Sequence, residues 1–256
     1  MGRKSYDGFL LDLDGTVYRG KEKIPEAVEF VKELKKREHP YLFVTNNSTR
    51  TKETVAGQLN SFGIPCTPDN VLTTSMATAR YIKNEKEDAT VYYIGERGLK
   101  QAMEAEGLQY EENDPDYVAF GMDRQITYEK YAKACLAVRK GAKFVSTNPD
   151  AALPTEYGLF PGNGSLTSVI SVSTGVQPVF IGKPEPIIID QALKKLGTAK
   201  ERALIIGDNY DTDIMAGIRA DMDTLIVLTG VTSQQNLQTR TVQPTYALRS
   251  LSEWVF

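Results

Sequence analysis

Phe9-Leu10-Leu11-Asp12-Leu13-Asp14-Gly15-Thr16-Val17-Tyr18 is the stretch whose reading decides the fold. Three apolar residues carry the chain as a buried strand into two carboxylates one residue apart, and Gly15 then frees the backbone to turn sharply. Acids at the carboxyl end of a strand stand where open α/β sheets bind ligands. A turn beginning at Asp14 lets both acids converge on one centre. Converging like charges repel, which calls for a cation and raises the pKa of one acid. One carboxylate can then serve as nucleophile and metal ligand while its neighbour holds a proton, a division of labour suited to phosphoryl transfer through an aspartyl phosphate.

The rest of the composition narrows the chemistry. The chain has 256 residues, enough for two domains or one large α/β unit, and a net charge of −3 with acids and bases interspersed. It carries no basic stripe for a nucleic acid polymer and no apolar run long enough to span a membrane. Met1-Gly2-Arg3-Lys4-Ser5-Tyr6-Asp7 lacks the apolar segment of a signal peptide, so a cytoplasmic protein is expected. Cys66 and Cys135 lie far apart inside apolar patterns and read as buried free thiols. His39 is the single histidine and falls between a helix and a strand, which argues against histidine-based nucleophilic catalysis and against a histidine- or cysteine-rich zinc site. The chemistry must therefore rest on carboxylates, lysine, hydroxyls and amides.

Outward from the acidic turn, Pro25 opens a helix with Ala27, Val28, Phe30, Val31 and Leu34 at helical spacing, followed by the strand Tyr41–Val44. This β-α-β unit implies a parallel sheet. Thr45-Asn46-Asn47-Ser48 follows that strand, and a helix spans about Lys52 to Phe62. A second α/β pattern has strands at Val91–Gly95, Tyr117–Gly121 and Lys143–Thr147, and ends in a loop from Thr147 to Ser165 that leads into a helix. The first pattern then resumes with a strand at Pro178–Ile181, a helix at Glu185–Leu196, a strand at Ala203–Ile206, a helix at about Asp211–Ala220 and a strand at Thr224–Leu228. The expected fold is α/β: a doubly wound, Rossmann-like parallel-sheet core with an inserted α/β cap domain. The core covers 1–80 and 181–256 and the insert covers 81–180.

Each strand of the outer pattern delivers a polar group at its carboxyl end: Asp12 and Asp14, Thr45 and Asn46, Lys183, and Asp208. One crevice would receive them all. In order, Asp12-x-Asp14-Gly15-Thr16, Thr45-Asn46, Gly182-Lys183-Pro184 and Gly207-Asp208-x-x-x-x-Asp213 resemble the four motifs of haloacid dehalogenase (HAD) superfamily phosphatases. Thr147-Asn148-Pro149-Asp150, the Pro161–Ser165 loop and the large insert resemble the NagD-like, p-nitrophenylphosphatase-type subfamily.

The resemblance implies Asp12 as nucleophile and metal ligand, and Asp14 as general acid/base that offers its carbonyl to Mg²⁺. It implies Thr45, Asn46 and Lys183 as holders of the phosphoryl oxygens, with Asn209 grouped among the substrate-binding residues. Asp208 completes the metal site and Asp213 supports it. Asn148 and Asp150, on the insert's loop, are candidates for leaving-group contacts. The substrate expected is a small-molecule phosphomonoester such as a nucleotide or sugar phosphate, with no nucleic acid polymer and no membrane as partner; the sequence leaves a homo-oligomer open. A receiver-type phosphorylation switch uses similar groups, but it is about half this length and lacks a large insert. A dehalogenase on the same scaffold needs no Mg²⁺, which leaves Asp14 and Asp208 without a purpose.

Overall fold

The computed structural model describes residues 4–155 and 157–256. Met1, Gly2 and Arg3 of the amino-terminal stretch read above lie outside the described residues. In chain order the elements are β1 (Gly8–Leu11), β2 (Tyr18–Arg19), β3 (Glu22–Lys23), α1 (Pro25–Lys36), β4 (Tyr41–Thr45), α2 (Lys52–Ser61), β5 (Val71–Thr73), α3 (Thr74–Glu85), β6 (Thr90–Ile94) and α4 (Arg97–Ala105). They continue as β7 (Gln109–Tyr110), β8 (Tyr117–Phe120), α5 (Tyr128–Lys140), β9 (Lys143–Ser146), β10 (Ala152–Thr155), β11 (Gly158–Pro161), α6 (Asn163–Thr174) and β12 (Val179–Phe180). The last are α7 (Pro186–Leu196), β13 (Ala203–Gly207), α8 (Met215–Arg219), β14 (Asp223–Val227), α9 (Gln234–Gln238) and β15 (Tyr246–Leu248).

The chain divides into two compact units. The first holds 1–45, 53–72 and 183–256, and the second holds 46–52 and 73–182. The sequence pattern places 46–52 and 73–80 with the core; the structure packs them with the second unit, because α3 lies against α4 and Gly98 N–H donates to the Thr49 carbonyl at 3.0 Å.

In the first unit six strands run in the order β15-β14-β13-β1-β4-β5. The pairs β1–β13, β1–β4, β13–β14 and β14–β15 are parallel. β1 is buried along its whole length, as a central strand covered on both faces must be, and its apolar Gly-Phe-Leu-Leu run supplies that burial. Chain order runs one way from β1 to β4 and the other way from β13 to β14, so the sheet reverses between β1 and β13. Ligands of doubly wound sheets bind at such a reversal, beyond the carboxyl ends of the strands. Helix α1 begins at Pro25 and buries Ala27, Val28, Phe30, Val31 and Leu34, the face its spacing predicts. β5 and β15, three residues each, are too short to show an alternating pattern.

The second unit has five parallel strands in the order β12-β9-β8-β6-β7. The Pro178–Ile181 segment, expected in the outer sheet, is reduced to Val179–Phe180 and pairs with β9 in this one. The expected loop after Thr147 contains the antiparallel hairpin β10–β11, whose residues are mostly exposed and carry no buried alternation to mark them. Cys66 and Cys135 are buried free thiols, as expected. No described helix is long and apolar enough to cross a membrane.

Candidate active site

The site of the first unit is built at the sheet reversal. Leu11 ends β1, the Asp12 N–H donates to the Ile206 carbonyl of β13 at 2.8 Å, and the chain then turns. Gly15 makes that turn at φ +89°, and a Cβ there would collide with the Asp208 carboxylate, so glycine is required for both conformation and space. A Cβ at Gly230 would strike the same carboxylate. Asp208, just past β13, is thus held between two glycine backbones. It accepts from Thr16 Oγ1 at 3.0 Å and from the Val231 N–H at 2.7 Å.

Lys183 is 2% exposed, and its Nζ lies 2.5 Å from Asp12 Oδ1, 2.7 Å from Asp213 Oδ1 and 2.9 Å from the Val44 carbonyl. Asp213 also accepts from the Asn209 N–H at 3.0 Å. One carboxylate oxygen from each of Asp12, Asp208 and Asp213 falls within a 4.8 Å cluster. Two buried carboxylates and the partly buried Asp12 therefore face one buried lysine.

Their titration follows from that imbalance. Burial pushes Asp12 well above the usual carboxylate range, Asp213 and Asp208 push it further, and Lys183 opposes them. Asp208 is pushed up to about 6, chiefly by burial and then by Asp213, against the hydrogen bonds from Val231 and Thr16. Burial works against the Lys183 ammonium, yet Asp12 and Asp213 hold its pKa above the ordinary lysine value. The two acids favour the charged lysine, while the surplus of carboxylate over positive charge disfavours ionisation of Asp12 and Asp208. Oxygen donors carrying an uncompensated negative charge fit a hard divalent cation.

The chain as a whole matches known proteins. Residues 9–109 fit the family model described as haloacid dehalogenase-like hydrolase, and residues 180–254 fit a second HAD-hydrolase-like model. The chain is 60% identical to "5'-nucleotidase YutF" of Bacillus subtilis (strain 168) over 98% of each chain. It is 50% identical to "Acid sugar phosphatase" of Staphylococcus saprophyticus over 98% of this chain and 97% of that one. A mutant of thermostable p-nitrophenylphosphatase from Bacillus stearothermophilus superposes with a TM-score of 0.91 at 55% identity, covering 99% of this chain and 100% of that one. The chain belongs to the haloacid dehalogenase-like hydrolases. Within that family it is a phosphatase.

The phosphatase brings together some of the residues its motifs suggest and separates others. Asp12, Lys183, Asp208 and Asp213 meet, and Asp213 pairs directly with the lysine, a closer place than the supporting one expected. Thr45, 7% exposed, follows Val44 at the carboxyl end of β4. The Asp14 carboxylate stands apart from the acid cluster: it is exposed and accepts from the Gly20 N–H at 3.0 Å. Asn209 Oδ1 accepts from the Asp211 N–H at 3.0 Å, so its side chain caps the π-helical turn Tyr210–Ile214 that replaces the first part of the expected Asp211–Ala220 helix.

Asn46 packs with the second unit, where its Nδ2 donates to both Asp150 oxygens at 3.0 and 3.2 Å. Asn148, expected on an accessible loop, is 3% exposed; its Nδ2 donates to the Asn46 carbonyl at 2.8 Å and its Oδ1 accepts from the Asp150 N–H at 3.1 Å. Both of its amide groups are engaged within the fold. Sequence reasoning missed Thr16 and the Val231 N–H as partners of Asp208. Thr16 carried a signal, since it directly follows the turn glycine; a backbone N–H carries none.

Proposed function

We propose that this phosphatase hydrolyses small phosphomonoesters with Mg²⁺ through a phosphoryl group carried on Asp12. The observation that supports this reading most strongly is the partly buried Asp12 carboxylate paired with Lys183 and clustered with Asp208 and Asp213. Asp12 and Asp208, with the Asp14 backbone carbonyl, would hold Mg²⁺, and the bound ion would supply positive charge for the phosphoryl oxygens and the carboxylates alike. Mg²⁺ is favoured because every donor is a hard oxygen.

In the first step Asp12 attacks phosphorus, the bond from phosphorus to the ester oxygen breaks, and Asp14 gives its proton to the departing alkoxide. In the second step water attacks phosphorus, Asp14 takes the water's proton, and the bond to Asp12 breaks to release inorganic phosphate. Lys183 and the Thr45 hydroxyl hold phosphoryl oxygens while charge gathers on them. The exposure of Asp14 suits a proton carrier that must meet a leaving group and then a water. Nucleotides, sugar phosphates and p-nitrophenyl phosphate, the compounds in the relatives' names, share this monoester chemistry, which supports a small phosphomonoester as the substrate.

The test separates the two aspartates. With p-nitrophenyl phosphate the leaving phenolate needs little protonation, so Asp14→Asn should release a burst of about one p-nitrophenol per site, followed by slow turnover and a trappable adduct on Asp12. An alkyl phosphate should give no burst. Equal impairment on both substrates without an adduct, or full wild-type activity in excess EDTA, would defeat the reading.

A further inference from the structure

The segment between β14 and α9 does more than connect them. Thr229 Oγ1 donates to the Gly15 carbonyl at 2.7 Å, and the Thr229 carbonyl accepts from Arg19 Nε at 2.6 Å. Two residues on, the Val231 N–H donates to Asp208 Oδ2 at 2.7 Å, and the Thr232 N–H donates to the Asp208 carbonyl at 3.1 Å. Thr232 Oγ1 accepts from the Tyr210 N–H at 2.8 Å. All five bonds leave the segment. They end on the two turns that carry Asp14 and Asp208, or on β2 just after the first of them. A connection with no further task can leave its polar groups to its own turns and to water.

The grip on Gly15 bears on the direction of the Asp14 carbonyl. The Asp14 carbonyl and the Gly15 N–H share one peptide plane and point opposite ways, so the bond from that N–H to the Tyr18 carbonyl, 2.7 Å, fixes where the Asp14 carbonyl points. The next plane carries the Gly15 carbonyl, which Thr229 holds. Between the two planes stands a glycine at φ +89°, the residue type whose backbone rotates most freely. Fastening the second plane stops that rotation from reaching the first. On Asp208 the same segment acts by contact: the carboxylate has Thr16 Oγ1 on one oxygen and the Val231 N–H on the other, with Gly230 packed too close for a Cβ.

We propose that Thr229 is a positioning residue of the metal site. Its hydroxyl orients the Asp14 carbonyl through Gly15, and the same bond anchors the segment that presents the Val231 N–H to Asp208. One side chain outside the proposed ligand set thus governs the placement of two of its three members. Mg²⁺ demands near-ideal octahedral placement of its oxygens, so misdirecting a ligand costs affinity. The inference rests on the Mg²⁺ reading above, and all of its residues lie in the first unit.

Isothermal titration of Mg²⁺ into the substrate-free full chain tests it. Thr229→Val, which keeps the side chain's shape and removes the hydroxyl, should raise the Mg²⁺ dissociation constant ~10-fold or more, and Thr229→Ala should do the same. Thr229→Ser keeps the hydroxyl and should stay within about threefold of the wild type. The Mg²⁺ concentration for half-maximal turnover of p-nitrophenyl phosphate should move by the same factors. A merely structural threonine would instead lower the melting temperature in EDTA and leave the affinity for Mg²⁺ alone. Wild-type affinity in Thr229→Val or Thr229→Ala overturns the inference, as does an affinity in Thr229→Ser as weak as that in Thr229→Val. If Thr229→Val fails to fold, Thr229→Ala against Thr229→Ser decides. A wild type that takes up no Mg²⁺ defeats the metal reading itself, an outcome seen before any variant is compared.

Discussion

Both units end the strands of a parallel sheet in buried polar groups, and the two sets are chosen oppositely. In the first, Asp12, Asp208 and Asp213 surround one lysine and leave negative charge uncompensated. In the second, the groups beyond β9 are neutral: Ser146 Oγ and Thr167 Oγ1 share a hydrogen bond of 2.9 Å, and Asn163 Nδ2 donates to Ser146 Oγ at 2.9 Å and to the Asn148 carbonyl at 2.6 Å. Two oxygens of this second set, Thr147 Oγ1 and Asn163 Oδ1, are buried without a partner, which is a far smaller penalty than unbalanced carboxylates carry. One edge is arranged around something it must still bind. The other largely satisfies itself. Substitutions should then trade stability against activity in opposite directions at the two edges.

The largest effect belongs to the charged edge. Asp12→Asn should lower turnover of p-nitrophenyl phosphate by at least ~10⁴-fold, because it removes the nucleophile and no other group repeats its position. Lys183→Met should lower turnover by about 10²–10³-fold, the usual loss when one stabilising donor is removed. Asp12→Asn also relieves carboxylate repulsion and should not lower the melting temperature; Lys183→Met removes the only buried cation of the cluster and should. Steady-state kinetics and thermal unfolding on the same two variants check both halves. Equal destabilisation by the two would erase the distinction drawn between the edges.

Asp208 links the edges' chemistry to pH. Its folded-state pKa, pushed up to about 6, lies above the ordinary carboxylate value of 3.8. A raised value means that the folded state binds the proton more tightly, so stability present below about pH 4 is lost as the pH rises through about 6. The difference is worth on the order of 2–3 kcal/mol for an isolated group. In EDTA, the melting temperature should therefore fall between pH 4 and 7, and Mg²⁺ should remove most of that fall. Asp208→Asn can keep the Val231 N–H on its oxygen and turn its amide to the Thr16 hydroxyl, so it should raise the EDTA melting temperature at pH 7 by roughly 4–8 °C while activity is lost. A pH-independent melting temperature in EDTA would show that the cluster carries no such penalty.

How far the sequence revealed this arrangement depends on the kind of signal each residue leaves. The core strands β1, β4, β13 and β14 were legible because strands buried on both faces read as apolar runs, and the acids stand where those runs stop. β12 was misassigned for the same reason: Pro178–Ile181 is apolar and precedes Lys183, but nothing local says which sheet a two-residue strand will join. The hairpin β10–β11 escaped because its apolar residues face solvent, where no alternation is imposed. Asp12, Lys183 and Asp208 were visible as motif residues. The separation of Asp14 from their cluster was not, because the Gly20 N–H that holds it comes from backbone conformation alone. Asn148 looked accessible from its turn-rich surroundings, while its side chain reaches back to the Asn46 carbonyl, 102 residues earlier in the chain.

A smaller effect is expected at the neutral edge. Asn163→Ala leaves the Asn148 carbonyl without its side-chain donor, and Ser146 Oγ keeps only Thr167. The loss should cost about 1–3 kcal/mol in stability, read by urea unfolding, with turnover per folded molecule changed less than threefold. A large activity loss with unchanged stability would instead tie Asn163 to catalysis.

The smallest effect should come from an acid of the second unit whose pH dependence runs the other way. Arg124 donates to Glu96 from Nε and Nη2, both at 2.7 Å, and its N–H adds a third contact at 3.2 Å. The Arg124 guanidinium, opposed by burial and helped by that N–H, holds the Glu96 carboxyl below the usual range. A lowered pKa contributes stability that is present above the ordinary value of 4.5 and lost as the pH falls through the lowered one, the reverse of Asp208. The Arg124 side chain is 64% exposed, so solvent and salt screen the pair and hold its worth to about 1 kcal/mol or less. Glu96→Gln should therefore cost less than ~1 kcal/mol at pH 7, lose part of that difference in 0.5 M NaCl, and match the wild type near pH 3. Urea unfolding at the two pH values and two salt concentrations gives four numbers, and the sign of the pH change is the decisive one. A Glu96→Gln penalty that grows on acidification would mean that the paired acid behaves like the crowded ones, and that charge balance is not what separates the two edges.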